Sequence, residues 1–281
     1  MAQPPGGGQE QAAPFKPFIL GRYNVLLPLG EGGMAEIYLA EQNGAAGFTR
    51  LVTIKRIKTN LGADAEFFRM FVDEARILVN IQHPNVVSVL DLQQEGPDLF
   101  MVLEYVNGGD LRHLLKALNA KGMVMPVQVA VFVAWSLMRG LVQAHEARGA
   151  SGQSLDLIHR DVSPGNVLLG RNGAVKLSDF GVAKAVGRLA QTTDGAVKGS
   201  LSYMAPEMLE LATCDQRADV FSAGVVLWEM LTCRRLFPGT QPTKLVEALL
   251  TKQIPPPSSV NPEVPAGLDA VVLRALARKP D

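Results

Sequence analysis

The sequence predicts an α+β protein of two lobes: a small, β-rich lobe carrying one main helix, then a larger, mostly helical lobe. Three observations predict it. Short β-like runs dominate residues 22 to 106, namely "YNVLLPLG", "AEIYLAEQ", "LVTIKRI", "VVSVLDLQQ" and "LFMVLEYV", with one helical stretch from Asp64 to Ile81. After Gly108-Gly109 the pattern turns helical. Inside that helical part sits one short hairpin, "NVLLGRNGAVKLSDF", turning at Asn172-Gly173. The lobes are expected at 22–106 and 107–281, and no internal repeat is seen.

Each segment has its own reason. Residues 1–17 form a Pro/Gly/Gln-rich tail without a burial pattern, expected to be disordered. Nearly half of the 281 residues are apolar, enough for a substantial core. The 27 Lys and Arg balance 27 Asp and Glu, so nothing suggests a broad nucleic-acid surface. Cys214 and Cys233 form neither a disulfide framework nor a metal spacing, and a reducing, cytoplasmic setting is expected. The polar N-terminus is no signal peptide. The run "VQVAVFVAWSLMRGLVQA" is broken by Gln128, Ser136 and Arg139 and reads as a buried helix, not a membrane span.

The first chemical candidate is "LGEGGMAEIYLA". Ile37-Tyr38-Leu39 follow it as a strand, so Gly30, Gly32 and Gly33 sit at a hairpin tip. Glycines there let backbone N–H groups approach a phosphate, or simply make a turn. A dinucleotide fingerprint would need a helix at this point. The second candidate is a pair. Strand alternation puts Leu51, Thr53, Lys55 and Ile57 on one face, and helical spacing puts Phe67, Phe71, Glu74 and Leu78 on another. A cation and an anion on such half-buried faces either meet or snorkel to water; meeting is the economical solution.

The third candidate is a loop and a hairpin. "LIHRDVSPGNVLLG" sets Asp161 and Asn166 before the hairpin, and "KLSDFGVAK" sets Asp179 after it. Asp and Asn are turn formers in their own right. Together, however, they supply hard oxygen ligands suited to Mg²⁺. A glycine loop, a paired lysine and such a corner compose a nucleoside triphosphate site, with Asp161 free to accept a proton.

Joined in this order, these motifs resemble the eukaryotic-type serine/threonine protein kinases, in their bacterial branch. The resemblance runs from about residue 22 to the C-terminus. It implies the two-lobed protein kinase fold and transfer of the γ-phosphoryl of ATP, with Mg²⁺, to protein hydroxyls. Residues 30 to 37 would then be the loop over ATP, with Leu29, Gly30, Glu31, Gly32, Gly33 and Ile37 against the nucleotide. Lys55 would orient the phosphates and pair with Glu74. Leu103 would be the gatekeeper beside Thr53, the backbone of Glu104 and Val106 would bind adenine, and Leu168 would complete the pocket. Asp110 would reach the ribose, although as a helix N-cap before "LRHLLKAL" it also has a plain structural role. Asp161 would be the base, Asn166 and Asp179 the metal ligands, "MAPE" at 204–207 the end of the activation segment, and Asp219 a buried anchor. His159 would be a packed residue, and "HPNVV" a helix-to-strand junction.

Departures from the family pattern stand out. Ala35 takes the third loop glycine's place, Thr53 a small alanine's, Ser163 a lysine's, and Ser200 a threonine's. The segment "ARGASGQSLD" (147–156) lengthens the approach to the catalytic loop. Where the family continues past "RKPD" with an arginine for Glu207 and a last helix, this chain stops, so a fragment lacking a regulatory or membrane-anchored region is expected. Thr192 and Thr193 are candidate phosphorylation sites that Arg160 and Lys184 would pair with. A dimer for autophosphorylation is a further expectation. The rival reading is a pseudokinase scaffold, but the lysine, base and metal residues whose loss marks one are all present.

Overall fold

The computed structural model describes residues 15–32, 35–58, 65–149, 151–180, 201–209 and 214–279. Six strands form one antiparallel sheet: β1 (Phe18–Leu20), β2 (Tyr23–Glu31), β3 (Ala35–Asn43), β4 (Thr49–Ile57), β5 (Val89–Glu95) and β6 (Asp98–Glu104), in the order β1-β2-β3-β4-β6-β5. Alternation gives the sheet two faces. One buries Tyr23, Val25, Ala40, Val52, Ile54, Phe100 and Val102 as a small separate cluster. The other carries Ile57, Leu99 and Met101 into the main core, where Phe71, Ala75 and Leu78 of helix α1 (Ala65–Leu78) meet them.

The larger lobe is built on two helices, α3 (Val127–His145) and α5 (Arg217–Thr232), preceded by α2 (Leu111–Ala120) and α4 (Pro206–Leu209) respectively, and followed by α6 (Pro242–Thr251) and α7 (Ala266–Ala275). Helix α5 is buried around almost its whole circumference. This matches its mostly apolar sequence, since such a helix belongs inside, and the polar groups it buries, Asp219, Ser222, Glu229 and Thr232, have hydrogen-bond partners there. The nineteen residues of α3 are long and apolar enough to cross a membrane. Here one face, Ala130, Val133, Leu137, Leu141 and Ala144, lies in the core, while Phe132, Trp135 and Val142 are exposed. Gly140 lets α3 come close to the strand-entry loop: a Cβ there would lie 2.8 Å from the Asn85 carbonyl.

Strands β7 (Gly108–Asp110), β8 (Val167–Gly170) and β9 (Val175–Leu177) make a second small sheet. Gly173 turns the β8–β9 hairpin with φ +84°, where glycine carries no steric cost. The "HPNVV" junction between α1 and β5 is stitched to this hairpin. Asn85 Nδ2 donates to the Val175 carbonyl at 2.9 Å, Leu177 N–H to Asn85, and Val87 N–H to Leu177. The hairpin is thereby fixed against the entry to the first sheet.

Two strands are absent from the sequence-based expectation. β1 is short and precedes the first obvious alternation. β7 is Gly-Gly-Asp, with no strand propensity of its own; it pairs because the edge of β8 is there and because Gly108 has no side chain. A Cβ on Gly108 would sit 1.8 Å from the Leu169 carbonyl oxygen. Gly108→Ala is therefore expected to destabilise the protein by about 1–3 kcal/mol and to lower Tm by roughly 3–10 °C. Gly109→Ala, with nothing within 4 Å of the added Cβ, should stay near wild type. Thermal unfolding followed by circular dichroism compares the two; equal melting temperatures would remove the packing argument.

Candidate active site

Lys55 is the centre of charge. Strand β4 aims it at the face that α1 covers, and its Nζ lies 2.7 Å from Glu74 Oε1 and 3.0 Å from Asp179 Oδ1. The side chains are 14% exposed for Lys55, 5% for Glu74 and 45% for Asp179. Burial alone would lower the Lys55 pKa, but the two carboxylates outweigh it and hold the ammonium well above its usual range. Asp179 is likewise subject to desolvation, which Lys55 reverses, leaving its carboxyl below the usual range. For Glu74, burial wins over Lys55 and pushes the carboxyl up. Asp179, nearer to water, is thus the stronger anion of the two. Phe71 and Leu78 are buried on the Glu74 face as the spacing predicts; the Phe67 side chain lies outside the described residues.

Asp219 organises the loop from below. It opens α5, is fully buried, and accepts from His159 N–H (2.8 Å), Arg160 N–H (2.9 Å) and His145 Nε2 (2.8 Å). These donors pin Arg160 at φ +63°, a left-handed conformation that costs a non-glycine residue about 1–2 kcal/mol. The His159 ring is packed, its Nε2 donating to the Ser178 carbonyl at 3.1 Å and its Nδ1 accepting from Asp161 N–H at 3.2 Å. Both nitrogens are satisfied by the neutral ring. Burial lowers its pKa, though Asp219 and Asp161 oppose that. Phe180 packs against it, the rings tilted by 46° with centroids 4.4 Å apart.

Asp161 and Asn166 meet. Asn166 Nδ2 donates to the Asp161 carbonyl at 2.7 Å and to its carboxylate at 3.0 Å. A 3-10 turn, Pro164–Asn166, lies between them and leads into β8. On the far side of the hairpin, Asp179 has φ +55°, and its carboxylate turns to Lys55. The hairpin therefore holds Asn166 and Asp179 at its two ends. Among the described residues no group of three or more His, Cys, Asp or Glu forms a ready-made metal cage. Mg²⁺ needs none, since it takes one or two protein oxygens and completes its shell with phosphate and water. The Asn166 carboxamide oxygen and the half-exposed Asp179 carboxylate fit that requirement.

The nucleotide side of the cleft is formed by β2, β3, β4 and the strand exit after β6. Gly30 pairs with Ile37 and Glu31 with Glu36, and Gly32 N–H closes the tip on the Ala35 carbonyl at 2.8 Å. Nothing lies within 4 Å of a Cβ on Gly30, so that backbone faces open space. Gly33 lies outside the described residues. Thr53 stands opposite Leu103 in the sheet. Beyond them, Glu104 N–H is taken by the Ser88 carbonyl, whereas Val106 enters no backbone hydrogen bond among the described residues. Leu29 is exposed, and Leu168, in β8, pairs with Asp110. Asp110 caps α2, accepting His113 N–H at 2.8 Å; this is the structural role the sequence offered beside the ribose.

The arrangement decides the family once it is set beside known proteins. A model described as the protein kinase domain matches residues 23–269. The chain belongs to the protein kinase family. It is 41% identical over 268 residues to the "Tyrosine-protein kinase MasK" of Myxococcus xanthus, covering 95% of this chain and 41% of that protein. It is 32% identical over 262 residues to the "Serine/threonine-protein kinase PrkC" of Bacillus subtilis, covering 93% and 38%. The PknI kinase domain of Mycobacterium tuberculosis superposes with TM-score 0.67 at 26% identity, over 93% of this chain and 90% of that one. These relatives place the chain among the bacterial eukaryotic-type kinases, and the fold is the two-lobed one that the resemblance implied. The chain spans about two fifths of the length of these two curated relatives.

Some parts were not foreseen and some stand outside. His145, a third donor to Asp219, gave only an apolar helix end as a signal. Glu104, read for its backbone, also uses its side chain, accepting from Ser88 N–H (2.7 Å) and Lys176 Nζ (2.8 Å). Ser163 is 4% exposed, and among the described residues its hydroxyl bonds no partner, Asp161 included. Thr192, Thr193, Lys184, Lys198 and Ser200 lie outside the described residues.

The buried triad makes a test. Lys55→Met leaves Glu74 buried without its cation, and breaking such a pair costs about 3–5 kcal/mol. A carboxyl whose folded pKa is raised is harmless below its unfolded value, and its cost grows as pH rises from there towards the folded pKa. The loss measured by urea unfolding should therefore be larger at pH 7 than at about pH 5, and Lys55→Met/Glu74→Gln should recover most of it. A pH-independent loss with no recovery in the double variant would contradict the pairing.

Proposed function

We propose that the chain is the catalytic part of an ATP-dependent serine/threonine protein kinase. The observation that carries this reading is the convergence of Asp161, held by Asn166, with the Lys55–Glu74–Asp179 cluster across one hairpin. Bound Mg²⁺–ATP supplies the phosphoryl group and the cation that neutralises its charge, with Asn166 and Asp179 as the residues that hold the metal. Lys55 orients the phosphates, and Glu74 keeps Lys55 charged and aimed. Leu29, the glycines 30, 32 and 33, and Ile37 cover the nucleotide. Thr53, Leu103, Glu104, Val106, Asp110 and Leu168 enclose its base and ribose. Asp161 accepts the proton from the substrate hydroxyl as that oxygen attacks the γ-phosphorus and the bond to the bridging oxygen breaks, releasing ADP. Nothing else need react: positioning and charge placement supply the acceleration.

The setting proposed is cytoplasmic, with protein substrates and no nucleic acid. Membrane contact would come only through sequence outside this chain, and a dimer would serve autophosphorylation. A second reading, tyrosine phosphorylation, draws on the printed name of MasK alone. Incubation with radiolabelled ATP, Mg²⁺ and a generic protein substrate, followed by phosphoamino-acid analysis, separates the two. Phosphoserine and phosphothreonine are expected, with at least a hundredfold loss in Asp161→Asn; phosphotyrosine alone would favour the second reading. Undiminished transfer in Asp161→Asn would end both.

Ser163 sets the rate. A lysine in its place would bring a mobile cation to the transferring group, whereas a hydroxyl offers one neutral donor. A hydrogen bond to a charged group contributes about 1.5–3 kcal/mol, so the missing cation should slow the chemical step roughly 10- to 100-fold. In Ser163→Lys the single-turnover rate is expected to rise while ATP affinity changes little. A flat or lower rate in a folded variant would show that another cation already serves.

A further inference from the structure

Arg112 is the second residue of α2, and its guanidinium lies against Gly165 in the turn that carries Asn166. A Cβ built on Gly165 would come 1.7 Å from Arg112 Nη2 and 2.5 Å from its Cζ. Glycine at 165 is what leaves Arg112 this place; a longer side chain there would need the same volume. Among the described residues Arg112 forms no ion pair. The neighbouring carboxylate of Asp110 is engaged by the His113 N–H at 2.8 Å and the His113 ring at 2.7 Å.

A second guanidinium approaches the same region. Arg235, just past α5, sits 5.0 Å above the ring of Tyr203. Its Nε lies 3.3 Å from Glu229 Oε1. Glu229 is buried, and its oxygens are taken: Tyr203 donates its hydroxyl at 2.8 Å and Leu236 its N–H at 3.1 Å. Arg235 is thus the counter-ion of Glu229, and its side chain stays 44% exposed. Burial and Glu229 raise the Tyr203 phenol, and Arg235 and Arg112 both oppose them. Arg235 therefore stands over Tyr203, three residues before "PEML", already paired, which leaves Arg112 as the cation beside the catalytic loop with no carboxylate among the described residues.

A peptide presenting a hydroxyl to Asp161 must pass this surface. Gly165 lies four residues from Asp161 in the same loop, and an extended chain advances about 3.3–3.6 Å per residue, so the residues flanking the acceptor reach it. We propose that Arg112 determines substrate specificity by selecting a carboxylate side chain, Asp or Glu, close to the accepting hydroxyl. The same guanidinium disfavours basic flanking residues by like-charge contact. This inference rests on the phosphotransfer reading above.

The test uses the intact chain and peptides with one central serine, bearing Asp, Ala or Arg at each flanking position in turn. At the selected position Asp is expected to raise kcat/KM roughly tenfold over Ala, chiefly through KM, and Arg to lower it. Arg112→Ala should reduce the Asp preference to within about twofold. Arg112→Ala/Gly165→Glu, which puts a carboxylate where the guanidinium lay, should turn the preference towards Arg. A wild type indifferent to Asp at every position, or an Asp preference that survives Arg112→Ala, overturns the inference. ATP turnover without peptide separates the two levels. Turnover that Asp161→Asn abolishes, without a charge preference, sinks this inference alone; no Asp161-dependent phosphotransfer of any kind sinks the kinase reading and this inference with it.

Discussion

One buried ammonium holds the two lobes to a common geometry. Lys55 comes from the sheet, Glu74 from the helix on that sheet, and Asp179 from the turn after β9 in the other lobe. A lone charge at that depth would be driven to its neutral form. With two carboxylates it stays ionised, and loss of either one removes part of the compensation for its burial. The position of α1 relative to β4, and of both relative to the hairpin, is therefore an electrostatic requirement as much as a packing one. The asymmetry between the anions matters for chemistry. Glu74 is enclosed and weakened by burial, whereas Asp179 is half open and remains the stronger anion. The first is suited to holding Lys55, and the second keeps an oxygen-bearing face open to solvent.

The loop beneath depends on a second buried charge. Asp219 has no water to solvate it, so it takes backbone N–H groups from His159 and Arg160 and a ring nitrogen from His145. Hydrogen bonds to a charged acceptor contribute about 1.5–3 kcal/mol each, which exceeds the cost of the left-handed Arg160. The strain is thus maintained by the fold, and its effect is to turn the chain so that Asp161 and Asn166 face each other. The β8–β9 hairpin then acts as a ruler between Asn166 and Asp179, and the Asn85 and Val87 bonds fix the ruler to the first sheet.

Most of this was legible because it is written in local patterns. Lys55 and Glu74 broke apolar periodicities in a strand and a helix, and a misplaced charge in such a pattern demands a partner. Asp161, Asn166 and Asp179 bracketed a hairpin whose Asn-Gly turn is explicit. What escaped was set by tertiary contact. Strand β7 has no propensity and exists because an edge and a side-chain-free glycine permit it. The Asp219–His145 contact spans helices far apart in sequence, and nothing local marks His145. Asp179's bond to Lys55 was missed for the same reason: as a turn residue it satisfied a local reading completely. Arg112 carried no signal in the sequence, and only its place against Gly165 gives it meaning.

The distribution of departures from the family pattern follows from the same physics. At Lys55, Glu74, Asp179 and Asp219 a substitution leaves an opposite charge or a set of donors without a partner, and removing one member of a buried charged set is severely destabilising. Those positions are locked to one another. The Ser163 hydroxyl and Arg112 carry no such obligation: among the described residues the first bonds no partner, and the second pairs with no carboxylate. A side chain at Gly165 would displace the Arg112 guanidinium, because the two compete for one volume. Substitution is therefore cheap at the exposed guanidinium of Arg112 and costly at the buried charged set, where each side chain completes another's partners.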